Sequence, residues 1–395
     1  MPRVIGIDPG TVSIDCCGLE DGRVFLDRSL PTAAALADPA AVVGLLEGAG
    51  PLDLVAGPSG YGLPLTRVQD ATEEDLRLAF LAAPGETGGI GGLRALVRAL
   101  ARTRLPVVLT PGVVHLPTVP AHRKVNRVDL GTAEKVCAAA LAIVEQQRRR
   151  GGPLSRISLV LLELGGAFTA AVAVAEGRIV DGVGGSAGPL GFRAAGALDG
   201  EVAYLAGEVS KAMLFRGGAA DVAGWDERAA TAERLAHPAG AAEQLAREAL
   251  VEGAVRAALT MALALPAPAE FVLSGRLARV PALRDEIARR LAPHGPTHRL
   301  EGFAREAKQG AQGAALIADG LAGGEYRDLV DRLAIRCQQS LPAVSHHHRS
   351  RRANVSGAAS QGRYRENHPP VPMGRYSAPR EQGSTRPHQR QSQRL

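Results

Sequence analysis

Aromatic side chains make up only 3% of this 395-residue chain, so a folded core has to be assembled from Ala, Val and Leu rather than from rings. Cysteine is equally sparse. Cys16, Cys17, Cys137 and Cys337 have neither the paired spacing of a metal site nor the density of a disulfide scaffold, and they are expected to be reduced and structural. His115 and His122 lack any partner at metal-ligand spacing, so no chemistry is assigned to them. No apolar stretch approaches the roughly 18–20 uncharged residues that a membrane span requires. The N-terminus enters a strand after Arg3 with no signal-peptide core, and the expected location is cytoplasmic, with no membrane partner.

Acidic charge is scarce in one part of the chain only. The net charge of +6 and the pI near 9.4 invite a nucleic-acid reading. From Ser345 to Leu395, however, ten Arg face two acids, so this segment carries +8 and the rest of the chain −2. The body is therefore not basic, and no specific nucleic-acid partner is expected. Arg, Ser, Gln, Pro and His dominate the end of the chain, and residues 339–395 are expected to be a disordered basic tail. Its His346-His347-His348 run is either a chelating cluster or plain compositional bias. Its guanidinium groups could hold RNA without sequence preference, through counterion release.

Hydrophobic residues, by contrast, reach 46%. That is ample for a large core, divided more naturally into two domains than held in one. The expected division is 1–130 and 131–338. The opening reads as three strands, 3–8, 12–19 and 23–29, with Glu20-Asp21-Gly22 as a hairpin connection. A helix over 131–150 then leads to a second set of three strands, 157–163, 169–175 and 178–182, with Glu176-Gly177 as the turn. This echo indicates an internal duplication. Further strands are expected at 52–56, 106–109 and 271–273. Helices are expected at 39–47, 73–81, 93–102, 201–215, 241–263, 281–291, 306–320 and 326–338.

Two turn sequences carry most of the chemistry. Val4-Ile5-Gly6-Ile7-Asp8-Pro9-Gly10-Thr11 and Val160-Leu161-Leu162-Glu163-Leu164-Gly165-Gly166-Ala167 are apolar runs that end in a carboxylate and break into glycine. A strand that delivers an acid to a turn with uncovered N–H groups is suited to a phosphate and a divalent cation. An ordinary Asp-Pro-Gly hairpin explains the first equally well in isolation. A third turn, Val272-Leu273-Ser274-Gly275-Arg276, follows a short apolar strand.

In this order and spacing, the three turns resemble the superfamily of acetate and sugar kinases, heat-shock ATPases and actin. Within it, Leu116-Pro117-Thr118-Val119-Pro120, running into Gly131-Thr132-Ala133-Glu134-Lys135, resembles the segment before the connecting helix of butyrate kinases. Arg193-Ala194-Ala195-Gly196-Ala197-Leu198-Asp199 is similar to an Arg-Ser-Gly-x-Leu stretch of acyl kinases. The closest likeness is to a group labelled predicted butyrate kinase, over about residues 3–335. The resemblance implies an α/β fold with two duplicated ribonuclease H-like, actin-like ATPase domains around a nucleotide cleft. It also implies ATP and Mg²⁺ as cofactors. The chain departs from the common pattern at Glu163, where most members have Asp, and at Ala167, where many have a third glycine.

From the resemblance, Asp8 would hold Mg²⁺ through water, with Glu163 supporting the metal site from outside the direct ligands. Gly10, Thr11, Gly165 and Gly166 would face the phosphates, and Ser274, Gly275 and Arg276 the adenosine. Arg193 would neutralise the transferred group, since phosphoryl transfer proceeds by placement and electrostatics. Arg123, Lys124 and Arg127 lie in the loop before the connecting helix; each either binds the acceptor carboxylate or belongs to a solvated basic loop. Asp129 either orients the acceptor or caps the helix. Ser59, Tyr61 and Ser186 lie in glycine-rich loops suited to an acceptor pocket, and Tyr61 and Phe192 could wall an acyl chain or belong to the core.

Three functions fit these residues. The first is an ATP-dependent kinase of a small carboxylic acid, whose acceptor is already nucleophilic and needs no strong base. The second is a sugar or polyol kinase, with Asp129 or Asp15 taking the hydroxyl proton. The third is a non-catalytic, nucleotide-dependent sensor. The resembling kinases are commonly dimers, so a homodimer is allowed.

Overall fold

Val4-Ile5-Gly6-Ile7 is apolar at every position because both faces of the strand it forms are covered. The computed structural model describes residues 1–10, 12–57, 59–82, 92–226, 229–266 and 270–337. Strand β1 (Arg3–Pro9) pairs antiparallel with β2 (Ser13–Glu20), which pairs antiparallel with β3 (Arg23–Pro31). On its other side β1 runs parallel to β4 (Leu54–Ala56). β5 (Thr66–Arg67) and β6 (Val107–Leu109) complete a sheet of order β3-β2-β1-β4-β6-β5.

The second half repeats this arrangement. β7 (Leu159–Leu164) pairs antiparallel with β8 (Thr169–Ala175), which pairs with β9 (Arg178–Val183). β7 runs parallel to β10 (Glu270–Ser274), itself parallel to β11 (Thr297–Arg299), giving the order β11-β10-β7-β8-β9. The second turn of each meander is built alike: Asp21 and Gly22 have φ of 50° and 70°, and Glu176 and Gly177 have 52° and 73°. Positive φ at both central residues matches the twist of the flanking strands. Each meander also carries one register shift, between Gly18 and Leu19 and between Ala173 and Val174.

Two helices fill the space between the sheets. The connecting helix Ala133–Arg150 packs on β7 and β8, and Gln309–Leu321 packs on β1, β2, β4 and the connecting helix. Small residues permit this closeness. A Cβ on Gly6 would lie 2.2 Å from the Ala311 carbonyl, and one on Gly313 1.8 Å from that of Cys137. The central core, from Val4 and Cys17 through Val136, Leu141 and Ile143 to Leu161 and Val172, is continuous across this layer. Outside it, Ala241–Ala262 covers the second sheet, and Pro39–Glu47 with Leu93–Ala101 covers the first.

The expected α/β architecture and the triple-strand echo are therefore present. Some bounds differ for local reasons. The helices expected over 201–215 are two short ones, Gly200–Ala206 and Lys211–Leu214, separated at Gly207 (φ 72°) and restarted by the Ser210 cap. The helix expected at 306–320 begins only at Gln309, because the preceding N–H groups donate to Asp27. The last helix is confined to Arg327–Arg332. The basic tail expected at 339–395 lies outside the described residues, as does Gln338. Among the described residues no helix is long and apolar enough to cross a membrane.

Candidate functional site

The two hairpin tips and the turn after β10 open into one cleft of about 350 Å³. At the first tip, the Gly10 N–H donates to the Ser13 carbonyl (2.9 Å) and the Thr32 hydroxyl to the Gly10 carbonyl (2.7 Å), which closes the turn. At the second, the Gly165 N–H donates to the Phe168 carbonyl (2.9 Å). Gly275 has φ of 88°, and a Cβ there would lie 2.4 Å from the Leu164 carbonyl, so the third turn rests directly on the second tip. Asp8, Gly10, Glu163, Gly165, Gly166, Gly275 and Arg276 all line the cleft. Thr11 lies outside the described residues.

The floor is a lattice of charges. Asp8 and Asp15 face each other across the first hairpin, and Glu134, Lys135 and Lys308 join them in the cleft lining. Burial drives the Asp8 carboxyl well above the usual carboxylate range, and neighbouring Glu134 pushes it further. For Glu134 burial acts in the same direction but is outweighed by Lys135 and by a hydrogen bond from Asp8, so its pKa falls. Lys135 bridges Glu134 and, at 3.3 Å, Glu163 Oε1. Burial works against its charge, yet those two carboxylates hold its pKa up. Lys308 Nζ contacts Asp15 Oδ2 at 2.8 Å and donates to the Ser13 carbonyl at 3.2 Å.

The opposite wall is polar at one corner and aromatic beside it. Asp129 Oδ2 accepts from the Ser186 N–H (2.9 Å) and hydroxyl (2.7 Å), and Oδ1 accepts from the Gly131 N–H (3.2 Å). Tyr61 is hydrogen-bonded to Ser186, and burial, with Asp129 nearby, raises its phenol to about 12. Phe168 and Phe215 meet edge to face, with centroids 5.0 Å apart, and both line the cleft.

Several expected site residues are elsewhere. Ser59 is buried and bonded to Thr110 (3.0 Å), so it supports the loop rather than lining the main cleft. Ser274 lies behind the surface and donates to Glu163 Oε2 (3.2 Å). The expectation for Lys124 needs correction: burial lowers its pKa, and its ammonium donates to the Leu116 carbonyl (2.8 Å) instead of facing the cleft. Arg123 pairs with Asp181 (3.4 Å) and the Val180 carbonyl (2.8 Å), and Arg127 is exposed outside the lining. Arg193 is half-buried beside the second tip, where its N–H donates to the Ala167 carbonyl (3.0 Å), and its side chain is not among the cleft residues. Phe192 is core, and Phe168 and Phe215 take the place proposed for it. Asp129 does not cap the connecting helix, whose N-cap is Thr132.

Glu134, Lys135, Lys308, Phe168 and Phe215 escaped the sequence reading as site residues. A signal existed for the first two, the only charges in the otherwise small and apolar run from Gly131 to Val144. Lys308 and the two phenylalanines carry no local mark.

Among the described residues, those of the first hairpin fit a hydrated divalent cation. Asp8 Oδ1 is buried at the cleft without a hydrogen-bond partner, and a hard cation held largely through water needs few direct carboxylates. The facing Asp15 also has a buried Oδ1 without a hydrogen-bond partner. Glu163 also lines the cleft, and its two oxygens are held by Lys135 (3.3 Å) and Ser274 (3.2 Å). Among the described residues no three His, Cys, Asp or Glu side chains group as a metal-binding set.

Comparison with known proteins places this arrangement. A family model described as "Protein of unknown function (DUF1464)" matches residues 6–346. Comparison with curated proteins finds no match. Among solved structures, an acetate kinase from Entamoeba histolytica aligns at TM-score 0.52 and 13% identity, over 73% of this chain and 86% of that one. An acetate kinase from Porphyromonas gingivalis aligns at 0.52 and 15%, over 75% and 88%. A propionate kinase from Francisella tularensis aligns at 0.52 and 14%, over 79% and 99%. At such identities the likeness is one of fold alone: the chain shares the α/β fold of these acetate and propionate kinases.

Proposed function

The chain belongs to this DUF1464 family, and we propose that it is an ATP-dependent phosphotransferase acting on a small carboxylic acid to give an acyl phosphate, in the manner of acetate and butyrate kinases. The observation that carries the reading is the sharing of one cleft by three glycine turns, two lysines and an aromatic wall. Gly10, Gly165 and Gly166 put no side chain in the way where phosphates would lie, and Gly275 and Arg276 flank the adenosine side. Lys135 and Lys308 offset negative charge at the floor, the task that dominates phosphoryl transfer. Asp8 would hold hydrated Mg²⁺, which when bound supplies charge neutralisation at the phosphates. Phe168 and Phe215 offer an apolar surface to a short acyl chain. The two-domain division at residues 130 and 131, with closure of the lobes on binding, is part of the proposal.

A carboxylate acceptor suits the state of Asp129. Its two oxygens already accept three hydrogen bonds, so it braces the loops, and a carboxylate acceptor asks for no base. The polar corner formed by Asp129, Ser186 and Tyr61 favours a second reading, a hydroxyl acceptor as in a sugar or polyol kinase. An ADP-production screen of the full chain with Mg-ATP against short-chain acids and against sugars separates the two. ADP formed only with an acid, and a product trapped by hydroxylamine as a hydroxamate, is the expected result. Turnover with sugars and no hydroxamate would transfer the proposal to the second reading, and basal hydrolysis indifferent to every acceptor would leave a nucleotide-dependent sensor.

A further inference from the structure

We infer that Lys308 is the cation that receives the terminal phosphates of the nucleotide at the first hairpin tip, and that Asp27 holds the turn presenting it. The inference rests on the reading that the cleft takes ATP. Gly10 has no side chain between its backbone and Lys308: a Cβ there would fall 2.6 Å from Nζ. The ammonium therefore sits directly over the tip that would face phosphate.

An ammonium has three donors. Lys308 directs two of them to Asp15 Oδ2 (2.8 Å) and the Ser13 carbonyl (3.2 Å), and its side chain keeps 34% exposure toward the cleft. The other lysine of the lining, Lys135, is 10% exposed and engaged by two carboxylates. Each lysine keeps one donor by this count, and the greater exposure of Lys308 makes its donor the one that a ligand in the cleft can reach. Lys308 is also fixed in place, because leaving would strand Asp15, which is fully buried.

Asp27, at the far end of the first meander, explains how Lys308 arrives there. Its carboxylate accepts from the successive N–H groups of Arg305 (2.8 Å), Glu306 (3.1 Å) and Ala307 (2.7 Å). The three residues before Lys308 are thereby pinned to β3, and the next step of the chain delivers its side chain to the tip. Asp27 is not itself a cleft residue and holds only the backbone of the turn, so it acts by positioning.

Binding of ATP, ADP, AMP and adenosine to the full chain, measured by calorimetry with Mg²⁺, tests this. Lys308→Met is expected to weaken ATP by about tenfold or more, roughly 1.4 kcal/mol or above, and adenosine by less than about twofold. Lys308→Arg should recover part of the ATP affinity, since a guanidinium also meets phosphate. The double variant Lys308→Met with Asp15→Asn relieves the stranded carboxylate; it is expected to recover the melting temperature and not the ATP affinity. Unchanged ATP binding in Lys308→Met, or full recovery in the double variant, overturns the assignment while leaving the kinase reading intact. No ATP binding by the wild-type chain removes that reading and this inference together. For Asp27→Ala the expected loss is again confined to phosphate-bearing ligands, and Lys308→Met should add little to it; additive losses would overturn the positioning role.

Discussion

Asp8 and Asp27 are both carboxylates at the first meander, and their surroundings push them in opposite directions. Burial raises Asp8 in the folded state, so the fold favours its protonated form, and stability falls as pH rises through the ordinary carboxylate range toward the folded value. Asp8→Asn removes that burden. It is expected to melt higher than wild type at neutral pH while abolishing ADP production, a trade familiar at strained sites. A lower melting temperature, or undiminished turnover, would contradict the role given to Asp8. For Asp27 burial opposes ionisation, but hydrogen bonds from Ala307, Arg305 and Glu306 prevail and lower its pKa. Its contribution is present above the unfolded value of about 4 and is lost as pH falls through the folded one. The gap in melting temperature between wild type and Asp27→Ala should therefore be widest near neutrality and narrow in acid.

At the scale of elements, the structure depends on how closely the helix Gln309–Leu321 approaches its neighbours. Gly313 meets the connecting helix at the Cys137 carbonyl, and Gly6 meets Ala311 and Ala315 from the sheet side. Neither approach leaves room for a methyl group. Gly313→Ala is expected to cost about 3 kcal/mol or more, read as a fall in the denaturation midpoint with an unchanged slope. Because this helix also carries Lys308 at its N-cap and places Gly310 against Asp8, the same change should weaken ATP binding. Loss of stability without any loss of ATP affinity would argue that the helix is a spacer only.

At the scale of the whole molecule, the aromatic wall of the cleft is made by chain segments that meet only on folding. Phe168 follows the second tip, and Phe215 follows the short helix Lys211–Leu214, yet their rings touch at the cleft. Phe215→Ala should enlarge that wall and shift acceptor preference toward longer acids, changing KM for the acid more than KM for ATP. A change confined to ATP would move the aromatic pair to the nucleotide side. Much of the fold was legible beforehand: apolar runs ending in acid and glycine marked both tips, and Asp21-Gly22 and Glu176-Gly177 marked two matched turns. The candidate site was legible at the glycine turns with their carboxylates and at Tyr61, Asp129 and Ser186, all of which line the cleft. Lys124 read as a cleft cation because it lies in a basic loop, whereas its ammonium bonds the Leu116 carbonyl.

The amino-acid order alone determined the two meanders, the connecting helix and the glycine turns, because these follow from side-chain period and backbone freedom within a few residues. Only the tertiary structure decided that Lys308 would reach Gly10, that Lys135 would occupy Glu163, and that Phe168 would find Phe215. Those pairings are set by the packing of two helices between two sheets, where burial and charge compensation act between residues with no local sign of each other.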